Sequence, residues 1–246
     1  MSAVIWHDIE CGSYVEDLPL WRSLAASHGD PVLDVGAGTG RVTLDLAAGG
    51  YRVTALDRDP ALLAALEQRL ARKSEIVRPL CQTAVADARE FDLGDTRFPL
   101  VIVPMQTIQL LGGPDGRAAF LRCAHRHLTP GGILAAAISE VLELYEVIDG
   151  EPAPLPDVRE YDGVVYSSQP VAVRADGEGF VLERRRETVG VSGERTVEGD
   201  LIRLDRLTVR GLEREAEAAG FARAGRDRVP ATEDYSGSEV VILRRG

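Results

Sequence analysis

Gly36, Gly38 and Gly40 stand at alternate positions at the end of Val32-Leu-Asp-Val-Gly-Ala-Gly-Thr-Gly40, with Ala37 after the first and Arg41 directly after the last. Glycine accepts positive φ and leaves its main chain open, so such a turn between a strand and a helix lets a ligand approach backbone amides. The dinucleotide fingerprint G-x-G-x-x-G needs its third glycine at position 41, and the chain has Arg41 there. What stands instead is G-x-G-x-G with an acid, Asp34, just ahead of it. A second acid, Asp57, ends the next apolar run in Ala55-Leu-Asp-Arg-Asp-Pro60, where a carboxylate can accept two hydrogen bonds from a ribose diol. The bland role for an Asp ahead of Pro60 is a helix N-cap, and Asp59 already fills it. A third acid, Asp87, follows in Val85-Ala-Asp-Ala-Arg89; alone it reads equally well as a surface turn. Three acids thus stand in order along the chain, Asp34 within the first apolar run and Asp57 and Asp87 at or after the next two.

The elements that must position these residues alternate along the chain. Residues 31–35 form a brief apolar run, the pattern of a buried parallel strand. Residues 39–48 carry Val42, Leu44, Leu46 and Ala47, a helix stopped by Gly49 and Gly50. A second strand is predicted over 51–56, and Pro60 opens a helix with Leu62, Leu63, Leu66 and Leu70 on one side. Strand-like runs recur at 76–86, 100–103 and 132–138, with a helix over 114–128. This rhythm predicts a doubly wound α/β fold with helices on both faces of a mostly parallel sheet.

Past residue 140 the rhythm changes. Residues 151–156 are proline-rich and read as a linker. Residues 163–174 and 179–189 are extended in pattern and joined by a turn at 175–179; a further turn at 190–194 leads to a third strand over 195–207. The segment reads as an antiparallel β-meander inserted into the α/β domain. A helix over 212–219 and strands over 221–229 and 239–243 return to the earlier style. The expected boundaries are 1–145 and 208–246 for the α/β domain and 146–207 for the meander.

The glycine turn with its leading acid resembles motif I of the class I S-adenosylmethionine (SAM) dependent methyltransferases of bacterial small-molecule type. Asp17-Leu-Pro-Leu-Trp-Arg-Ser-Leu resembles the helix that precedes this motif, and Leu128-Thr-Pro-Gly-Gly-Ile133 resembles the turn into the fifth strand. The resemblance covers roughly residues 11 to 140 and the closing tail, and implies a Rossmann-like, seven-stranded sheet. It implies SAM as cofactor and S-adenosylhomocysteine as product. Asp34 would help hold the SAM ammonium, and Gly36, Ala37, Gly38, Gly40 and Arg41 would line its amino-acid part. Asp57 would grip both ribose hydroxyls, Arg58 would lie over the adenine edge, and Asp87 with the Ala88 N–H would take the adenine amino group. Tyr14 would lid the cofactor and touch its sulfonium. Met105 and Gln106, after the fourth strand, complete the set, and Gln106 and Gln109 would face the methyl group. There are departures: Pro99 stands in Phe98-Pro-Leu-Val101 where an acid is usual, and Pro104-Met-Gln-Thr107 does not match the box of amino-methylating nucleic-acid enzymes.

In-line displacement from a sulfonium needs positioning and dryness more than it needs an acid or base. No general base is identified, and Tyr14 and Gln106 are the candidates for direct action at the methyl group. Two other classes compete: a non-catalytic SAM-binding protein, and an NAD-dependent oxidoreductase, which Arg41 disfavours. The acceptor is expected to be a small molecule. The net charge of −11 disfavours nucleic acid, and no apolar run reaches the ~18 residues of a membrane span. Residues 1–10 lack a basic start and an apolar stretch, so a cytoplasmic location is expected. Cys11, Cys81 and Cys123 are spaced as free thiols, with no metal site expected. His125 and His127, at a helix end, read as structural. Tyr161 and Tyr166 could face a substrate, with a solvated sheet as the default. The meander is expected to cap the acceptor site; a homodimer through it is the alternative.

Overall fold

The computed structural model describes residues 2–148, 153–177, 179–232 and 235–246. In chain order its helices are α1 (Ser2–Cys11), α2 (Leu18–His28), α3 (Arg41–Ala48), α4 (Pro60–Ala71), α5 (Gly113–His127) and α6 (Val209–Ala218). Its strands begin with β1 (Val32–Val35), β2 (Val53–Asp57), β3 (Cys81–Val85), β4 (Phe98–Val103) and β5 (Leu128–Ile138). There follow β6 (Tyr145–Glu146), β7 (Asp157–Tyr161), β8 (Val164–Asp176), β9 (Gly179–Val189), β10 (Arg195–Asp205), β11 (Phe221–Val229) and β12 (Ser238–Arg245). The chain divides into two compact units, one of Tyr14–Glu140 with Leu207–Gly246, the other of Met1–Ser13 with Val141–Arg206.

In the larger unit, seven strands among the described residues form one sheet in the order β11-β12-β5-β4-β1-β2-β3. β3 through β5 run parallel, and β12 pairs antiparallel with both β5 and β11. Alternate residues of the central strands serve two cores, as both faces of a covered parallel sheet require. Leu33, Val35, Val101 and Val103 pack with Phe120 and Leu121 of α5 and Leu212 of α6. Val32, Leu100 and Ile102 pack with Trp21 of α2 and Leu46 of α3. The strand order reverses direction between β1 and β4, and in open α/β sheets ligands bind outside the carboxyl ends of the strands at such a switch point. That is where the glycine turn lies.

Prolines set two local departures from the expected strands. The run expected over 76–86 is a 3₁₀ turn at Arg78–Leu80 before β3 begins, because Pro79 has no N–H to give a ladder. Pro99 lies inside β4, and the register against β5 slips between Phe98 and Leu100.

The smaller unit holds five strands among the described residues where three were expected. β10, β9, β8 and β6 pair in that order, and β7 also pairs with β8. β7 and β8 meet at Tyr161↔Val164 through a two-residue loop, Asp162-Gly163, with φ of 50° and 79°. Asp-Gly with both residues at positive φ is a strong hairpin signal, and it stands in the sequence ahead of the segment read as the first strand. The turn expected at 175–179 includes Glu178 and the linker at 151–156 includes Glu151 and Pro152, which lie outside the described residues.

Residues 1–13, expected within the α/β domain, group instead with this sheet. Ile5, Trp6 and Ile9 of α1 pack with Tyr166, whose ring meets Trp6 edge-on at 5.5 Å, so Tyr166 is a packing residue. Glu10 accepts two hydrogen bonds from Arg186, at 2.8 and 2.9 Å, and one from Ser168. Arg184 pairs with Asp157 at 2.6 Å. The side chains of Arg184 and Arg186 are only 18% and 17% exposed, against 49% for Arg185 between them. Strand alternation thus puts two of the three consecutive arginines on a covered face, with acids supplied for them. Among the described residues no helix is long and apolar enough to cross a membrane.

Candidate cofactor site

The turn after β1 is built on β2. The amides of Gly36 and Ala37 both donate to the Leu56 carbonyl, at 2.8 and 3.0 Å, and Gly40 N–H closes onto the Ala37 carbonyl at 2.9 Å. Gly36, Gly38 and Gly40 have φ of 73°, 54° and 91°, the left-handed region that side chains rarely enter. A Cβ on Gly36 would lie 2.5 Å from Thr107 Cγ2, so the loop after β4 rests directly against the glycine turn. Arg41 is the first residue of α3, whose N-cap Gly40 brings no side-chain cap to the first amides of the helix. The positive end of a helix dipole suits an anionic group.

Asp34 is buried on β1, flanked by β2 and β4. Its Oδ2 accepts from the Thr43 hydroxyl at 2.7 Å, while Oδ1 has no hydrogen-bond partner among the described residues. Burial pushes its carboxyl up to about 6, opposed by the Thr43 hydrogen bond and the Arg41 guanidinium and reinforced by the Asp17 and Asp57 charges. A buried oxygen without a donor is costly, and it marks a place where a ligand donor fits.

Asp57, at the end of β2, braces the loops. One oxygen accepts from Gly38 N–H at 2.8 Å, the other from Asp59 N–H at 2.9 Å. Asp59 caps α4 by accepting from Ala61 N–H at 2.8 Å, as expected. Asp87, after β3, is gripped by Arg89, which donates from its main-chain N–H at 2.8 Å, Nε at 2.9 Å and Nη2 at 2.6 Å. This fork holds the Asp87 carboxyl below its usual range, and Arg58 adds to the effect through space. Arg58 is exposed, and Ala88 is partly buried against the core.

Tyr14 and Arg41 come together although far apart in sequence. The Arg41 guanidinium lies 5.0 Å over the Tyr14 ring and donates to the Tyr14 carbonyl at 2.9 Å. It also forks onto Asp17 at 2.5 and 2.8 Å. The Tyr14 ring stacks at a tilt on Tyr235, 4.8 Å away, and burial together with Asp17 pushes its hydroxyl up to about 12.

Beyond β4, Met105 takes φ of 55°, an uncommon conformation for a residue with a side chain, and packs partly buried against the core. Gln106 donates from Nε2 to Ser139 Oγ at 2.9 Å, tying this loop to the end of β5. Gln109 was expected to face the methyl group. It is instead fully buried, donating to the Ser139 carbonyl at 3.1 Å and accepting from Ser139 N–H at 2.8 Å. Its amide mimics a peptide unit between two loops, so it acts as a brace. His127 accepts from Leu93 N–H at Nε2 and hydrogen-bonds the Cys123 carbonyl through Nδ1, which places the proton on Nδ1. His125 packs edge-on against Phe221. Asp17 and Ser139 join the candidate residues only through partners 24 and 33 residues away, whereas Arg89 grips Asp87 from two residues along the chain.

The sheet order, with the glycine turn following β1, is that of the Rossmann-like methyltransferase fold. The family described as "Methyltransferase domain" matches residues 32–132, and the larger unit carries that domain. Among curated proteins, a probable cobalt-precorrin-6B C(15)-methyltransferase (decarboxylating) of Methanothermobacter thermautotrophicus is 35% identical over 111 residues, 44% of this chain and 53% of that protein. The chain matches about half the length of such curated relatives. Among solved structures, the sugar N-methyltransferase KedS8 from Streptoalloteichus superposes with a TM-score of 0.72 at 20% identity, over 100% of this chain and 93% of that one. SAM-bound CalS10, an amino pentose methyltransferase from Micromonospora echinaspora, superposes with a TM-score of 0.69 at 23% identity, over 98% and 92%. The likeness extends over both units, whereas the family match lies in the larger one.

Proposed function

We propose that this protein transfers the methyl group of SAM to a small-molecule acceptor, and that the residues around the glycine turn hold the cofactor. The observation that carries the reading is the buried, donor-less Oδ1 of Asp34 beside a glycine turn that a single Cβ would fill. Asp34 would receive the SAM ammonium there, and the N-terminus of α3 its carboxylate. Asp57 keeps lone pairs for the ribose hydroxyls while its loop amides fix its orientation. Asp87 would share its carboxylate between Arg89 and the adenine amino group, and Met105 and Gln106 would border the methyl end. The cofactor, once bound, supplies a methyl group on a good leaving group, so the chain's task is to orient the acceptor and exclude water. The small-molecule reading is supported by the amino pentose and sugar enzymes of like fold. A cytoplasmic location goes with it and suits three free thiols. Assembly as a homodimer through the smaller unit belongs to the same reading, supported by β10 standing last in its sheet.

Calorimetry is expected to give micromolar SAM affinity, about −8 kcal/mol. S-adenosylhomocysteine release across a panel of amino sugars and other small amines tests turnover, and sedimentation tests for a mass of twice 26.6 kDa. SAM binding with no turnover of any acceptor would favour a non-catalytic binding protein.

The Asp34 carboxyl, up at about 6, also predicts a pH dependence. The ammonium needs the ionised form, so affinity should be flat above pH 7 and fall as pH drops through about 6, approaching tenfold per unit. A Kd constant between pH 5 and pH 8 would show that Asp34 does not hold the charge of the ligand.

A further inference from the structure

The node of Asp17, Arg41, Tyr14 and Trp21 lies outside the set of acids that the glycine turn brings to mind, and its bonding is too complete to be incidental. Asp17 is buried, and its carboxylate is fully engaged. Oδ1 accepts from Arg41 Nη1, and Oδ2 accepts from Arg41 Nη2 and from the Trp21 indole N–H, the last two at 2.8 Å. The Asp17 carbonyl accepts the first amides of α2, at 3.1 Å from Leu20 and 3.2 Å from Trp21. Arg41 spans from this carboxylate to the Tyr14 carbonyl while its plane covers the Tyr14 ring. The side chains of Arg41 and Asp17 are 11% and 3% exposed, so the pair works in a medium where charge–charge terms are strong.

We propose that Asp17 is a positioning residue for the cofactor: by clamping Arg41 it fixes Tyr14 and the first turn of α3 beside the glycine turn. The inference rests on the SAM reading above. Arg41 directly follows Gly40 and begins α3, so its fork onto Asp17 ties the end of the glycine turn to the segment before α2. Without the Asp17 carboxylate, the Arg41 guanidinium loses the fork that orients its hydrogen bond to the Tyr14 carbonyl and its contact with the Tyr14 ring.

The clamp also fixes the charge balance around Asp34. The groups facing Asp34 are Thr43 and Arg41 from α3, Asp17 from the segment before α2, Asp57 from the end of β2 and Cys81 from β3. Arg41 is the cation among three acids. It favours the ionised form of Asp34, whereas the Asp17 charge opposes it. The two partners of the clamp therefore act on Asp34 in opposite directions, so their loss should shift its titration in opposite senses.

The test measures SAM affinity by calorimetry from pH 5 to pH 8 for the wild type, Asp17→Asn and Arg41→Met, each checked for folding by thermal unfolding. Both variants should bind about tenfold or more weakly at pH 8, because both free the Tyr14 segment. The midpoint of the acid limb should move down in Asp17→Asn and up in Arg41→Met. Should Asp17→Asn fail to fold, Arg41→Met carries the test by the same readout. Variants that fold, bind SAM like the wild type and keep its pH midpoint overturn the clamp and leave the SAM reading standing. A wild type that binds no SAM at any pH overturns both.

Discussion

Gly36→Val is expected to abolish SAM binding, with affinity falling below detection by calorimetry. Two effects act at once. The residue sits at φ of 73°, where a β-branched side chain costs about 1–3 kcal/mol in backbone strain. The new Cβ would also lie 2.5 and 2.7 Å from Thr107 Cγ2 and Oγ1. Thr107 cannot retreat freely, because its hydroxyl donates to the Pro104 carbonyl at 3.0 Å. The loop carrying Met105 and Gln106 would have to move, and the turn would lose its ability to let a ligand touch the main chain. Gly50→Val separates the two causes. Gly50 has a φ of 92° but nothing within 4 Å of a built Cβ, so that variant carries strain without crowding. It should melt earlier and still bind SAM. Comparable SAM affinity in Gly36→Val and the wild type would remove the glycine turn from the site.

Asp57→Ala should weaken SAM by about 2–3 kcal/mol, a loss of roughly thirty- to 150-fold, since a charged acceptor is lost from the ribose. The structure adds a second consequence. Gly38 and Asp59 donate to this carboxylate, so Ala leaves both amides without an acceptor and frees the loops that Asp57 ties together. The melting temperature should therefore fall as well, by several degrees for each kcal/mol lost. Asp57→Asn keeps one carbonyl oxygen for one of the two amides and should land between the wild type and Ala in both measurements. A Kd for Asp57→Ala equal to that of the wild type would show that the ribose is held elsewhere.

These residues were legible in the sequence because their signals are local. The glycine turn is a matter of which residues tolerate positive φ, Asp59 before Pro60 is a helix cap within one turn, and apolar runs separated by helical periods specify a covered parallel sheet. None of that needs knowledge of what lies across the fold. The two prolines that shift β3 and β4 act locally too, as does Asp162-Gly163, where the signal was present and overlooked.

Partnerships across long stretches of chain were decided only by tertiary structure. Arg41 meets Asp17 over 24 residues, Gln109 meets Ser139 over 30, and Glu10 meets Arg186 over 176. No periodicity announces them, because each depends on two elements arriving at one point in space. The helix α1 illustrates this best: its apolar residues mark something to be covered, but not that the cover is a sheet folded from residues well over a hundred positions later. Gln109 shows the reverse. Its position after β4 makes it look like a ligand residue, and only burial against Ser139 turns it into a brace. Composition and spacing thus determined the fold class and the place of the glycine turn, because those follow from backbone geometry. Which side chains remain open to a ligand depended on pairing and burial, which exist only once the chain has folded.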